Sequence, residues 1–488
     1  MSEEILINVT AHETRVATIW QNTVEEIHLE RSASRGQVGN IYLGRVLRVL
    51  PGMQSAFIDI GLEKAAFLHA ADIWHSRDIN SPLIELTPPI EKLIHDGQTI
   101  MVQVTKDPIS NKGARLTTQI SIAGRTLVYL PQTLHIGVSQ KIDGEIEREL
   151  IRQRLTDVIP PSETGGYIIR TLAEDASSET LASDVAYLRK TWLGIEALAG
   201  NLPPRSLLYR DLNLSERVLR DMVNDDTSHI LIDCKKTYEK LLRFVNALIP
   251  SVAKRLKCYN GSRALFDLFG VENEIEKALS KRVDLKSGGY LVIEQTEAMT
   301  TIDVNTGGFI GVRNFTETIY KTNLEAAQSI ARQLRLRNLG GIIIIDFIDM
   351  DNEDHRSSVL TTFNEALARD RTKSKVGQFS PLGLVEMTRK RTRESLAHVL
   401  CQPCTLCHAR NQIKTPRTLC YEILREIQRE AQIFNPRQFC IVAAPVIIDS
   451  FLEEESIYLA AMSDQIGKPI TLQAESHYHP EKYDIIIH

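Results

Sequence analysis

Two aspartates, Asp303 and Asp346, stand at or near the ends of apolar runs of strand length, from Met299 to Asn305 and from Ile342 to Phe347. In open α/β sheets ligands bind beyond the carboxyl ends of the strands, so two carboxylates placed there would converge on one crevice. Carboxylates at close range repel unless a cation lies between them, and Mg²⁺ is typically held by one or two carboxylates plus water and substrate phosphate. The pair therefore reads as a hard-oxygen site, with Asn305 and Asp349 beside it. Acids that simply end strands at the solvent edge would look the same.

A second constellation is Cys404 and Cys407, whose C-x₂-C spacing suits two thiolates gripping one Zn²⁺. Structural zinc takes four ligands, and no second such pair follows. Cys401 and His408 offer donors within one chain, yet adjacent Cys407 and His408 would struggle to reach one ion at tetrahedral angles. Two chains each giving Cys404 and Cys407 to a shared ion is the better solution, which makes the chain a homodimer or a higher oligomer. Phe57 and Phe67, with Lys106, Lys112 and Arg115 nearby, are the parts of a single-stranded nucleic-acid platform, in which bases stack on aromatics and phosphates meet cations. Core packing is the commoner use of such phenylalanines. Arg170 and Thr171 offer a guanidinium fork and a hydroxyl at a strand end, able to clamp a terminal phosphate; an exposed strand end is the plainer reading. The cationic run from Thr388 to Arg393 reads as a solvated helix face or a phosphate contact.

These residues need scaffolds, and the chain is long enough for several. Its 488 residues imply two to four domains, and 43% hydrophobic with 24% charged residues is ordinary globular usage, which excludes collagen, mucin and prion-like classes. A net charge of −5 excludes a uniformly basic coat and leaves local basic patches open. No apolar run approaches the roughly 18 residues of a membrane span. The acidic start lacks the pattern of a signal peptide, so a cytoplasmic location is expected, and seven cysteines with one cluster suit metal binding there better than disulfides.

Residues 5–30 read as a strand meander too short to fold alone, and residues 36–116 as five short strands punctuated by Gly that suggest a small closed barrel. Helical spacing covers Ser178 to Leu198, Leu324 to Arg337, Asn352 to Arg369 and Arg417 to Phe434. The run Ile342 to Phe347 lacks polar alternation, as expected of a strand covered on both faces.

Four stretches carry a resemblance: Thr300 to Thr306 (TIDVN within it), Asn323 to Ala327, Arg332 through Gly341 to Asp349, and Gly383 to Arg391. Together they resemble the catalytic region of the ribonuclease E/G family, and the likeness runs from residue 1 to 488. It implies an α/β multidomain chain. An S1 (OB-fold) β-barrel at 36–120 would be inserted in an RNase H-like subdomain built from 1–35 and 215–280. A 5′-end sensor region would lie at 121–214, a DNase I-like catalytic subdomain at 281–400, a zinc-link at 401–415 and a small α/β dimerisation domain at 416–488. The resemblance further implies that Asp303 and Asp346 bind catalytic Mg²⁺ while Asn305 positions the scissile phosphate. Arg170, Thr171, Gly124 and Val128 would take a 5′-monophosphate, and Phe57, Phe67, Lys106 and Lys112 would hold single-stranded RNA. The implied activity is a Mg²⁺-dependent endoribonuclease on A/U-rich single strands of ribosomal-RNA precursor and messenger RNA, leaving 5′-phosphate and 3′-hydroxyl ends. A non-catalytic RNA-binding or ribosome-associated scaffold is the alternative. One departure is that His408 follows Cys407, where the family usually has a glycine-rich turn.

Overall fold

A computed structural model describes residues 3–75, 88–108, 113–140, 142, 144–161, 163–174, 176–307, 315–402, 413–434 and 436–487. The chain forms two compact units, residues 1–396 and 397–488.

The described residues of the first unit form four sheets. Glu3–Val9, Glu13–Trp20 and Thr23–Arg31 form the expected meander, turned at Gln21 and Asn22, which both have positive φ (50° and 60°), as a two-residue hairpin turn of the right twist requires. The meander is completed from far along the chain. Thr227–Ile232 pairs parallel to Glu3–Val9, and Leu256–Cys258 pairs parallel to Thr227–Ile232. Ile5, Ile7 and Val16 bury against Leu241 and Val245 of the helix Lys235–Leu248, which explains why the first 31 residues cannot form a core unaided.

Ile41–Leu50, Ser55–Asp59, Ala66–His69, Arg115–Thr117 and Thr99–Lys106 close into a five-stranded barrel, because Thr99–Lys106 returns to pair with the first half of Ile41–Leu50. That long strand changes partner midway. Gly44 permits the close approach, since a Cβ there would lie 2.6 Å from Ile58 Cγ2. A four-stranded sheet follows, in the order Ile136–Val138, Gly166–Ile169, Leu127–Leu130, Ile122–Ala123, packed with helices Glu145–Val158 and Ser178–Asn201.

The fourth sheet orders Arg282–Asp284, Tyr290–Gln295, Met299–Asn305, Gly341–Asp346, Leu384–Arg389 and Ser374–Phe379. Helices Phe315–Leu336 and Glu353–Leu367 cover one face, burying Ile302, Val304, Ile343, Ile345, Val385 and Met387. Three expectations change here. Gly341–Asp346 is covered on one face only: Ile343 and Ile345 are fully buried while Ile342 is 49% exposed. An all-isoleucine run hides an alternation that only side-chain polarity would have displayed. The helix starts at Phe315 rather than Leu324, because its inward face carries buried Thr318, Thr322 and Asn323, which break the apolar spacing. Thr388 and Arg389 finish a strand instead of starting a helix face, and Arg389 points inward.

Arg389 makes a two-pronged contact with Asp370, Nε to Oδ2 at 2.6 Å and Nη2 to Oδ1 at 3.1 Å, with side chains only 4% and 2% exposed. Its Nη1 also donates to the Leu339 carbonyl at 2.8 Å, so one cation ties the end of its own strand to the turn before Gly341–Asp346.

In the second unit Phe439–Ala443 lies between parallel Ile470–Ala474 and antiparallel Tyr483–Ile487, packed with helices Pro416–Ile433, Pro445–Leu452 and Ser456–Ile466. Among the described residues no helix is long and apolar enough to cross a membrane.

Because removing one member of a buried ion pair leaves the other charge uncompensated, Asp370→Ala should cost about 3–5 kcal/mol of stability. Urea unfolding of the full chain would measure it, and a loss below about 1 kcal/mol would show that Arg389 finds compensation elsewhere.

Candidate catalytic face and nucleic-acid surfaces

Met299–Asn305 and Gly341–Asp346 run parallel with Asp303 directly opposite Asp346 in the register. Side chains alternate faces along a strand, so with Ile302, Val304 and Ile345 committed to the core, both carboxylates must stand on the open face. Both are exposed. Asn305, two residues on and therefore on the same face, donates from Nδ2 to Asp303 Oδ2 at 2.8 Å. Partial burial, then the charges of Asp303 and Asp349, raise the Asp346 carboxyl above its ordinary range. That mutual repulsion is what a divalent cation between the two carboxylates would relieve. Among the described residues no group of three or more His, Cys, Asp or Glu side chains is gathered for a metal. Two carboxylates completed by water and phosphate are a Mg²⁺-type donor set, and the pair fits one.

The loop after Asp346 is held by Asn323, the first residue of one of the stretches that carry the family resemblance. Asn323, fully buried in the helix Phe315–Leu336, donates from Nδ2 to the Ile348 carbonyl at 2.7 Å and accepts from the Ile348 amide at 3.1 Å. Both backbone groups of Ile348 are thus fixed between Asp346 and Asp349. An asparagine in a helix interior is a poor helix former, and that is the signal that could have marked it.

The barrel carries Phe57 opposite Phe67 on neighbouring strands, rings 6.4 Å apart and edge-on. Phe57 is 38% exposed and so does not serve the core. Arg115 pairs in register with Phe67 and with Lys106, which is exposed, while Arg115 itself is engaged by Asp72 at 2.8 Å. Aromatics and cations therefore share one rim. Lys112 lies outside the described residues, as do Cys404 and Cys407.

Arg170, Thr171, Gly124 and Val128 meet at one corner of the four-stranded sheet. The Arg170 amide donates to the Thr126 carbonyl at 2.8 Å, and Val128 pairs with Ile168. Arg170 Nη1 donates to the Gly124 carbonyl at 2.6 Å and to Asp221 Oδ1 at 2.8 Å. Burial pushes the Asp221 carboxyl up, but hydrogen bonds from Arg220 and the nearby guanidinium charges win and hold it below its usual range. The Gly124–Leu127 loop wraps buried Asp184, which accepts from the Thr126 amide, the Thr126 hydroxyl and the Leu127 amide at 2.7 to 2.9 Å. A Cβ at Gly124 would fall 2.4 Å from Asp184 Oδ1, so only glycine allows this wrapping. Asp184 and Asp221 went unremarked in the sequence, since single acids on helices carry no spacing signal. A separate cleft of about 580 Å³, lined by Trp20, Arg332 and Arg369 among others, includes none of the candidate residues.

Comparison with known proteins identifies a family. Residues 121–392 match the model of the ribonuclease E/G family. Ribonuclease G of Salmonella typhimurium and ribonuclease G of Escherichia coli K12 are each 51% identical over 490 residues, covering all of both chains. Ribonuclease E of Escherichia coli K12 is 35% identical over 487 residues, 98% of this chain and 46% of that protein.

Removing a group that orients a metal-binding loop typically weakens metal affinity roughly 10–100-fold. Asn323→Ala should therefore shift Mn²⁺ binding, followed by calorimetry on the full chain, by about that factor. An unchanged isotherm would mean that the loop keeps its pose without the clamp.

Proposed function

The chain belongs to the ribonuclease E/G family and is an endoribonuclease, a hydrolase, and we propose that it cuts single-stranded, A/U-rich RNA with Mg²⁺, preferring a 5′-monophosphate. The observation that carries this reading is the in-register pair Asp303 and Asp346 on an open sheet face, with Asn305 tethered to the first. Asp303 and Asp346 would hold the cation, which when bound lowers the pKa of water and offsets charge on the phosphate. Asn305 keeps one amide hydrogen on Asp303 and offers its second amide hydrogen to the scissile phosphate. Asn323 keeps Asp346 and Asp349 from drifting apart. Products would carry 5′-phosphate and 3′-hydroxyl ends, in 16S ribosomal-RNA 5′-end maturation and messenger decay.

In this reading the barrel is an S1 domain whose Phe57 and Phe67 stack splayed bases while Lys106 and Lys112 meet phosphates. The sheet joining residues 3–31 to 227–258 is an RNase H-like subdomain, and the sheet bearing Asp303 is a DNase I-like one. Arg170 serves the 5′-phosphate from the corner it shares with Thr171, Gly124 and Val128. Part of its guanidinium is already spent on Asp221, so that acid sets the orientation of the fork and restrains it from binding any passing anion. The zinc reading and the homodimer it implies rest on the spacing of Cys404 and Cys407.

Asp303→Asn should abolish cleavage of a labelled single-stranded oligonucleotide while its affinity for RNA stays within about threefold, because phosphate and stacking contacts dominate binding. Wild-type cleavage that persists in EDTA, or turnover by the variant, would refute the metal assignment. A second comparison tests the corner: Arg170→Ala should equalise rates on monophosphorylated and triphosphorylated substrates, and an unchanged ratio would remove Arg170 from that role.

A further inference from the structure

The open face of the catalytic sheet holds one more feature suited to RNA. Tyr290 pairs in register with Asn305, and Arg282 with Val292, which itself lies opposite Asp303. Residues opposite one another share a face, so Arg282, Tyr290, Asn305, Asp303 and Asp346 all project to the same side. The Arg282 guanidinium lies over the Tyr290 ring, 3.9 Å from its centroid. On another side the ring backs onto Gly307, where a Cβ would come within 3.4 Å of Tyr290 Cδ1. Arg282 remains 58% exposed at its side chain, and its Nε is tied to Asp284 Oδ1 at 2.8 Å.

We propose that the Arg282–Tyr290 stack is a shelf for an unstacked nucleobase flanking the scissile phosphate, a role that rests on the endoribonuclease reading of Asp303 and Asp346. Three observations converge on a base rather than a phosphate. Unpaired bases stack on guanidinium planes as well as on aromatic rings, and here the ring already supports the plane from below. The carboxylate of Asp284 partly neutralises Arg282, so the site offers a flat surface more than a charge. The position is close to the chemistry: two strand spacings, about 10 Å, separate the strand of Arg282 from that of Asp303, within the span of a neighbouring nucleotide. The pair at Phe57 and Phe67 would then grip the strand on the barrel while this shelf fixes the base beside the cut.

The test uses the full-length protein with Mg²⁺ and a set of single-stranded oligonucleotides in which each of the two nucleotides on either side of the cleavage site is made abasic in turn. With wild type, one position should show a loss in kcat/KM of roughly tenfold, the scale of one stacked base. Arg282→Ala should lose about as much on the intact substrate and show no further penalty at that abasic position. Arg282→Lys, which keeps the charge and loses the plane, should behave like Arg282→Ala. Binding alone supplies an independent readout: in the Asp303→Asn background, 2-aminopurine at that position should be quenched on binding, and less so when Arg282→Ala is added. Full rescue by lysine would mean a phosphate contact, and an abasic penalty unchanged in Arg282→Ala would mean that no base rests there; either overturns the shelf. Absence of wild-type cleavage would instead strike the endoribonuclease reading.

Discussion

Like charges set side by side on adjacent strands repel, and the sheet that pairs Met299–Asn305 with Gly341–Asp346 is organised around holding Asp303 and Asp346 in that unfavourable arrangement. Parallel pairing fixes the two Cα atoms opposite one another, and the alternation of the strands denies either carboxylate an escape to the other face. The cost shows in Asp346, raised above its ordinary range by burial and by its acidic neighbours. Core packing on the far face offsets it. Ile302, Val304, Ile343 and Ile345 anchor both strands against the two long helices on that face, so the acids cannot relax without moving buried apolar mass. Under the proposed function such a pair would be preorganised for a cation, because the reorganisation that binding would otherwise demand has been met by folding.

Much of this was legible from the chain alone, for reasons that differ between residues. Asp303 and Asp346 stand out because each interrupts an apolar run near its end, and the barrel because Gly punctuates five short strands. The hairpin at Gln21 and Asn22 was readable from polarity, although neither residue is glycine. The single-sided burial of Gly341–Asp346 was invisible, since four isoleucines in succession carry no polar contrast and the pattern cannot distinguish the covered face from the open one. The first turns of the helix Phe315–Leu336 were missed because Thr318, Thr322 and Asn323 occupy inward positions usually given to Leu or Ile. Each satisfies its polar group inside the protein, as Thr322 does by donating to the Thr318 carbonyl at 2.9 Å.

Two polar partners of the Arg170 corner, buried Asp184 and half-buried Asp221, lie far from it in sequence. Asp184 shapes the loop at Gly124 from a helix some sixty residues on, and Asp221 orients Arg170 from another. Neither has a neighbour that would flag it, because the information lies in the register of the sheet and in which helix packs on it. Buried polar groups of this kind are costly if unsatisfied, so their hydrogen-bond partners are fixed and the geometry they impose is rigid.

Under the proposed function, the same physics suits the open face to a polymer. One face of the sheet is spent on the core, leaving the other with a row that crosses strands: Arg282, then Val292, Asp303, Asp346 and Leu384. Such a row lies perpendicular to the strands, so a nucleic-acid chain laid along it meets a planar cation, a short apolar gap and then paired acids in sequence. A duplex would present its phosphates outward and its bases sealed, and could use only the acids. A single strand can use every member of the row, because its bases are free to turn toward the sheet while its backbone passes the carboxylates. Under the proposed function, a preference for unpaired RNA would follow from the order of side chains across the strands, before any contact with the barrel is considered.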